Sequence, residues 1–313
     1  MFNPRCVVQK PRMRYRPKHI AEYILLRGLL GIVNLLPLRA ALAIGWGIGA
    51  LFFYVFKFRA SEAQRRLQEV YGDRFSPKER KQIAWRSFRN ICFNAIEAAR
   101  FYKLTPEQMK QMPVYKDIEQ VHQKYKKEGP LIVATAHMGN WDLAGVASKL
   151  DGMPIFSIAR RQKNPLTDEL LNKMRNATGM EVVHNDSRIL QNVVRNLKKG
   201  GVLAILPDVR SRTKALSIDF LGGQANLGAG VALFAQMANC PIIPVVLTRR
   251  GWTEHHCTLF EPIIPDPSQD KKEEWQRMMQ ELITVFDQEI SKEPEQYFWF
   301  NKRWVLDPLK KTE

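Results

Sequence analysis

Five short apolar runs, at residues 131–136, 155–159, 181–183, 202–206 and 242–247, dominate the second part of the chain, and all have strand length, several being rich in Val and Ile. The spacers between them read as helices. One opens at Asn164-Pro165, a capping residue followed by proline, and ends before Gly179. Another begins near Ser187 and ends at Lys198-Lys199-Gly200, with cations and a glycine where a helix C-terminus favours them. Strand alternating with helix predicts an α/β fold, a largely parallel sheet flanked by helices on both faces. In such sheets ligands bind beyond the carboxyl ends of the strands.

The part before residue 130 has a different rhythm. Ser76-Pro77-Lys78-Glu79 is a capping box with proline at the first helical position. A helix is predicted from there to about Phe101, with Ala84, Phe88, Ile91 and Ala95 as its apolar stripe. A final amphipathic helix is predicted over 268–290, its stripe being Trp275, Met278, Leu282 and Phe286.

Ahead of all this, Arg5, Lys10, Arg12, Arg14, Arg16 and Lys18 crowd the first twenty positions with no acid among them, and residues 40–56 are uncharged. As a helix that run would be roughly 25 Å long, just short of a hydrocarbon core of about 30 Å. Cations flank it on both sides, at Arg39 and at Lys57, Arg59, Arg65 and Arg66, so the charge rule for orientation gives no clean answer. A spanning helix and an interfacial or re-entrant anchor both fit, and so does a buried apolar helix, since Gly45, Gly47 and Gly49 suit tight helix packing. Residues 1–58 are therefore read as a membrane-associating region that could be removed without loss of the fold. Residues 59–128 are a helical lead-in, and 129–313 the α/β core, on the cytoplasmic side.

Forty-eight Lys and Arg against 31 Asp and Glu give a net charge of +17. The charge points to an anionic partner: lipid headgroups, phosphorylated substrates, an acidic protein or nucleic acid. With 45% hydrophobic and 25% charged residues, the chain is neither disordered nor a polytopic membrane protein. Cys6, Cys92, Cys240 and Cys257 have no metal-site or disulfide spacing. His255-His256 would point to opposite sides of a strand and reads as a surface pair, not a metal site.

His137 follows the run LIVATA and precedes Met138-Gly139-Asn140-Trp141-Asp142. On one continuous helix, His137 and Asp142 would lie roughly 140° apart. If Gly139-Asn140 instead turn the chain into a new helix, Asp142 falls in its first turn and can reach back to the imidazole. A carboxylate there would keep one ring nitrogen protonated and stabilise the imidazolium as the other takes a proton. The pair would then deprotonate a substrate hydroxyl. A strand-end histidine and a first-turn acid favoured by the helix dipole would look the same at this spacing.

Six blocks decide between these readings: RRLQEVYGDRFSPKERKQIAWRSFRN, HMGNWD, ARRQKNPLTDELL, LKKGGVLAILPD, DFLGGQANLGAGVALFAQMANCPIIPVV and EQYFWFNKRW. In this order they resemble the bacterial lipid A biosynthesis acyltransferases, the late lauroyl and myristoyl transferases within the wider HxxxxD/E glycerolipid acyltransferase group. The resemblance implies that His137 is the general base and Asp142 its partner. It also implies an acyl-acyl carrier protein donor, no tightly bound cofactor, and the hydroxyl of a lipid A precursor as acceptor. Acylation of a lysophospholipid, glycolipid or aminolipid is the alternative. A more distant one is a basic membrane- or nucleic-acid-binding protein without catalysis.

Backbone N–H groups at Gly139, Asn140 and Trp141 are the candidate oxyanion donors. Arg160, Asn164, Arg175 and Asp208 are the candidate substrate-binding residues, the guanidinium groups suiting phosphates. The implied partners are acyl carrier protein, an anionic phospholipid membrane and the lipid acceptor, not nucleic acid, and the implied location is the cell inner membrane. The chain departs from the family at Val209, where glutamine is usual after the aspartate, and at Gln224 and Leu227, where proline and threonine are usual. Asp142 stands where many relatives have glutamate. The C-terminal QYFWFNKRW interleaves aromatic and basic residues, a pattern that suits stacking on nucleic acid or a bilayer interface; the resemblance implies packing near the active site or bilayer.

Overall fold

A computed structural model describes residues 15–159, 163–177, 179, 181–184 and 188–309. In chain order the elements begin with a helical lead-in: α1 (Pro17–Leu35), α2 (Leu38–Ala50), continued by one π-helical turn at Leu51–Val55, α3 (Ala60–Tyr71), α4 (Pro77–Ala98), α5 (Pro106–Lys110) and α6 (Val114–Glu128). The α/β part follows as β1 (Leu131–Thr135), α7 (Trp141–Leu150), β2 (Ile155–Ala159), α8 (Pro165–Ala177), β3 (Glu181–His184), α9 (Ile189–Lys198) and β4 (Val202–Ile205). Then come β5 (Leu216–Phe220), β6 (Gly223–Leu227), α10 (Gly230–Ala238), β7 (Ile242–Arg250), β8 (Glu254–Leu259) and α11 (Lys271–Lys292).

Among the described residues six strands form one sheet in the order β3-β2-β4-β1-β7-β8, parallel throughout except for the antiparallel edge strand β8. All five apolar runs became strands of it. The β5–β6 hairpin lies apart, a two-stranded antiparallel ribbon carrying alternating polar and apolar residues. The chain leaves β1 for β2, continues outward to β3, then returns to place β4 between β2 and β1.

The central strands are apolar throughout because both faces are buried. Ile132 and Ala134 join the core beneath α4, α9, α10 and α11, while Leu131 and Val133 pack with α6 and α7 on the other face. The same alternation sends Ile242 and Val246 one way and Ile243 and Val245 the other. The predicted stripe of α11 is observed, with Met278, Leu282 and Phe286 fully buried.

In α4 the capping box forms, Ser76 accepting from the Glu79 amide and Glu79 from Ser76. Its predicted stripe is too narrow. Ala95 is exposed, whereas Ile83, Phe93, Asn94, Ile96 and Glu97 are buried, because α4 is packed on two sides: by α2 and by the sheet domain.

The apolar run 40–56 is α2 and its π-turn. Its inner face is built for close approach: a Cβ at Gly45 would lie 2.9 Å from Cγ1 of Ile96, and one at Gly49 3.1 Å from Sγ of Cys92. Phe53 enters the main core, with ring centroids 5.5 Å from Trp85 and 6.0 Å from Phe88. Residues 1–58, read from the sequence as a separable region, thus supply Phe53 to that core. The outer face carries exposed Trp46, Ile48, Leu51, Phe52, Val55 and Phe56, and α1 exposes Ile24, Leu25, Ile32 and Leu35. The end of α1 is tied to the domain by Arg100, which donates to the carbonyls of Val33 and Leu36.

Candidate active site

His137 lies two residues beyond β1, at the carboxyl end of the central strand. The register of β1 on β4 pairs Ala134 with Ile205, and three residues further along each chain bring His137 opposite Asp208. Both oxygens of that carboxylate are used on the histidine: one accepts from the His137 backbone N–H at 2.8 Å, the other is 2.7 Å from Nδ1. The Asp208 side chain is fully buried, and that of His137 keeps 23% of its surface exposed. Asp208 was expected among the substrate-binding residues. Its burial and its two contacts make it the partner of the imidazole.

Asp142, the partner expected from the sequence, lies in the first turn of α7 as predicted, exposed and beside the same cavity. Its charge acts on the ring, whereas the hydrogen bond to Nδ1 comes from Asp208. Burial by itself would lower the histidine's pKa, but the neighbouring Asp208 charge, its hydrogen bond and the Asp142 charge outweigh it, and the value is raised. With Nδ1 protonated and held by the carboxylate, Nε2 is the basic nitrogen. Trp141 and Phe298 flank the ring, at centroid distances of 5.1 and 6.3 Å. Tyr297, buried against Asp208, has its phenol pKa pushed up by burial and by that charge.

The backbone from His137 to Asn140 is fixed from below. Phe298 donates its N–H to the carbonyl of His137 at 2.9 Å, so the aromatic C-terminal block packs at the site. Gly139 adopts φ +60°, and a Cβ there would sit 2.1 Å from the Leu247 carbonyl oxygen. Only glycine fits. The Gly139 N–H donates to the Gln296 carbonyl at 3.1 Å, which removes it from the set of oxyanion donors. Asn140 is the N-cap of α7, its side chain accepting from the Leu143 N–H. Trp141 follows in the first turn, where a backbone N–H has no intrahelical acceptor.

A cavity of about 580 Å³ opens beside the imidazole. His137, Trp141 and Asp142 stand at one side, the sheet residues Val133, Ala204, Val245 and Leu247 line much of it, and Val209 and Arg303 also border it. Two of its hydroxyls donate to the backbone, Thr135 to Ala136 and Ser148 to Ala144. A third, Ser157, is on β2, two strands from β1 and so roughly 10 Å away. A second, apolar cavity of about 360 Å³, lined by Leu26, Leu30, Phe101, Tyr102, Val146 and Met174, meets the first at Asp142.

The remaining candidates are not all brought here. Asn164 caps α8, accepting from the Leu166 N–H, and its amide donates to the His19 carbonyl and to Glu22 on α1. It is buried in that junction and does not border the cavity. Arg175 is on α8, and Arg160 lies outside the described residues. Gln224 and Leu227 sit on β6, Gln224 bonded to Ser217 and Leu227 buried. The histidine pair is divided: His256 is half-buried, but His255 is fully buried, with Nε2 3.1 Å from Glu97. Arg303 was not singled out as a candidate, although it belongs to the C-terminal block expected near the active site, and it borders the cavity.

The family described as bacterial lipid A biosynthesis acyltransferase matches residues 9–305. The lipid A biosynthesis palmitoleoyltransferase of Escherichia coli (strain K12) is 20% identical over 284 residues, covering 90% of each chain, as is a lipid A biosynthesis acyltransferase of Shigella flexneri. Another such acyltransferase, from Haemophilus influenzae, is 22% identical over 276 residues, 86% of this chain and 85% of its own. A match across nearly the whole length, with the strand-end histidine in its carboxylate setting, makes this chain a member of the bacterial lipid A biosynthesis acyltransferase family.

Proposed function

We propose that the protein is a membrane-associated O-acyltransferase that moves a fatty acyl chain from acyl carrier protein to a hydroxyl of a lipid A precursor, with His137 as general base. The observation that carries this reading is the imidazole held at Nδ1 by buried Asp208 while its other side faces a largely apolar cavity. Nε2 takes the acceptor's hydroxyl proton as that oxygen attacks the thioester carbonyl, and Asp208 stabilises the imidazolium that forms. The proton then passes to the departing thiolate. Asp142 adds negative potential at the same nitrogen pair, and the Trp141 N–H at the start of α7 faces the developing oxyanion. Arg303, with Arg160 and Arg175, supplies cations for the phosphates of donor or acceptor. Since Thr135 and Ser148 are engaged with backbone carbonyls, the nucleophile is the substrate's own hydroxyl.

The bilayer contact is α1 with α2. One face of α2 is packed on α4 and the opposite face is apolar and exposed, an arrangement that suits in-plane burial at the membrane interface better than a helix surrounded by lipid. The positive charge of the chain favours an anionic leaflet, the cytoplasmic side of the inner membrane.

The test uses the purified full-length chain with a labelled acyl-carrier thioester and, in parallel, a lipid A precursor, a lysophospholipid and an aminolipid. Transfer to the lipid A precursor that is lost in His137→Ala supports the reading. Full activity in that variant would refute the mechanism, and preference for another acceptor would refute the substrate.

A further inference from the structure

Beneath the His137 turn lies a buried polar cluster that the chemistry above does not use. Its centre is Glu97 of α4, 5% exposed, which meets Arg249 of β7, 3% exposed, through two bonds of 2.8 and 2.6 Å. His255 of β8 faces the same carboxylate at 3.1 Å, with its Nδ1 unpartnered. Burial would raise the Glu97 pKa, but the hydrogen bonds from His255 and Arg249 and the arginine's charge lower it, so the carboxylate stays ionised.

Three connections run from this pair to the catalytic turn. Asn140 donates to Glu97 at 2.5 Å while its oxygen caps α7. Asn94 accepts from Arg249 at 2.6 Å and donates to the carbonyl of Gly139 at 2.6 Å. Gln296 brackets the backbone of Arg249, accepting its N–H and donating to its carbonyl, while its own carbonyl accepts from Gly139. A buried ion pair is a poor source of net stability, because desolvation opposes the attraction. What such a network provides is a single geometry, since every member has one best arrangement.

We infer that Glu97, Arg249 and Asn94 are positioning residues for the acyl transfer: a buried ion-paired clamp that fixes the backbone of Gly139 and Asn140, and with it the imidazole of His137 and the start of α7. The inference rests on the general-base reading of His137. The imidazole must meet the attacking hydroxyl while the oxyanion donor meets the carbonyl under attack, and a displacement of about 1 Å can reduce rate ~10²-fold. With His255 the cluster draws on three separate elements, α4, β7 and β8, so the clamp also fastens the helical lead-in to the catalytic end of the sheet.

The test compares Asn94→Ala, which cuts the link to Gly139 but leaves Glu97 and Arg249 paired, with Glu97→Gln, which keeps the side chain's size and removes its charge. Tyr115→Phe, which removes a hydrogen bond to Asp151 far from the site, is the control for a comparable general loss of stability. The readouts are kcat and KM for both substrates and hydrogen exchange of the Gly139 amide. For both clamp variants we expect kcat lower by about 10- to 100-fold with KM within about threefold, and faster exchange at Gly139; Tyr115→Phe should leave all three unchanged. Wild-type kcat and Gly139 protection in Asn94→Ala, or losses no larger than those of Tyr115→Phe, would overturn the inference. If the wild-type chain transfers no acyl group at all, it is the functional reading that fails. The exchange measurement still judges the clamp: unchanged protection of Gly139 overturns it, and lost protection upholds its structural half.

Discussion

Asp208→Asn separates the two carboxylates near His137. The backbone N–H of His137 can only donate, so the asparagine oxygen stays on it, where Asp208 now accepts at 2.8 Å. The amide NH₂ then faces Nδ1, where a carboxylate oxygen stood at 2.7 Å. Two donors cannot face each other, so Nδ1 must become the acceptor and the proton moves to Nε2. The substitution thus preserves volume and backbone contacts but selects the tautomer that cannot act as base. General-base catalysis supplies about 10²–10⁴ in rate, which at 1.36 kcal/mol per tenfold is about 3–5 kcal/mol of barrier, and kcat should fall by that factor with little change in KM. Asp142→Asn removes a nearby charge on an exposed side chain and leaves the Asp208 hydrogen bond to Nδ1 in place, and the loss should be about fivefold or less. The assay is transfer from a labelled acyl-carrier thioester to the lipid acceptor, run at saturating substrate with both variants. Asp208→Asn within threefold of wild type, or a larger loss in Asp142→Asn, would refute the assignment of Asp208 as the imidazole's partner.

The raised pKa of His137 gives opposite signs for rate and stability. Transfer needs the neutral ring, so the acid limb of kcat/KM should lie above the ordinary histidine value of about 6.5 and move down in Asp208→Asn, whereas the stability gained from the protonated ring is complete below that value and lost as pH rises through the folded-state pKa. Gly139→Ala places a methyl 2.1 Å from the Leu247 carbonyl oxygen at φ +60°; urea denaturation should show a loss of more than about 3 kcal/mol. Gly45→Leu forces α2 away from Ile96 of α4 and should destabilise by about 1–3 kcal/mol in the same measurement. Replacing exposed Phe52 and Phe56 by Glu leaves the core intact and should weaken sedimentation with anionic vesicles at least tenfold, since burying each ring is worth about 1.5–3 kcal/mol.

Local order in this chain was legible because local chemistry writes it. Buried strands are short and apolar, Ser76 and Glu79 cap each other wherever the helix ends up, and Asn164-Pro165 starts a helix by its own geometry. The turn after β1 was equally readable, and Asp142 fell in the first turn of α7 as the spacing required. Sequence order also marked the ends of β1 and β4 as places for ligands.

What the sequence left open was which of those ends would meet. Asp208 is 71 positions from His137, and no spacing rule links them. They meet because β4 returns to lie beside β1 in a register that pairs Ala134 with Ile205. The same holds for Glu97, Arg249 and His255, of which the sequence singled out only His255, as half of a surface pair. Their meeting depends on α4 lying across the ends of β7 and β8. Periodicity reports which face of an element is apolar. Strand order and register, set by how all the apolar faces are buried at once, decided which carboxylate holds the histidine.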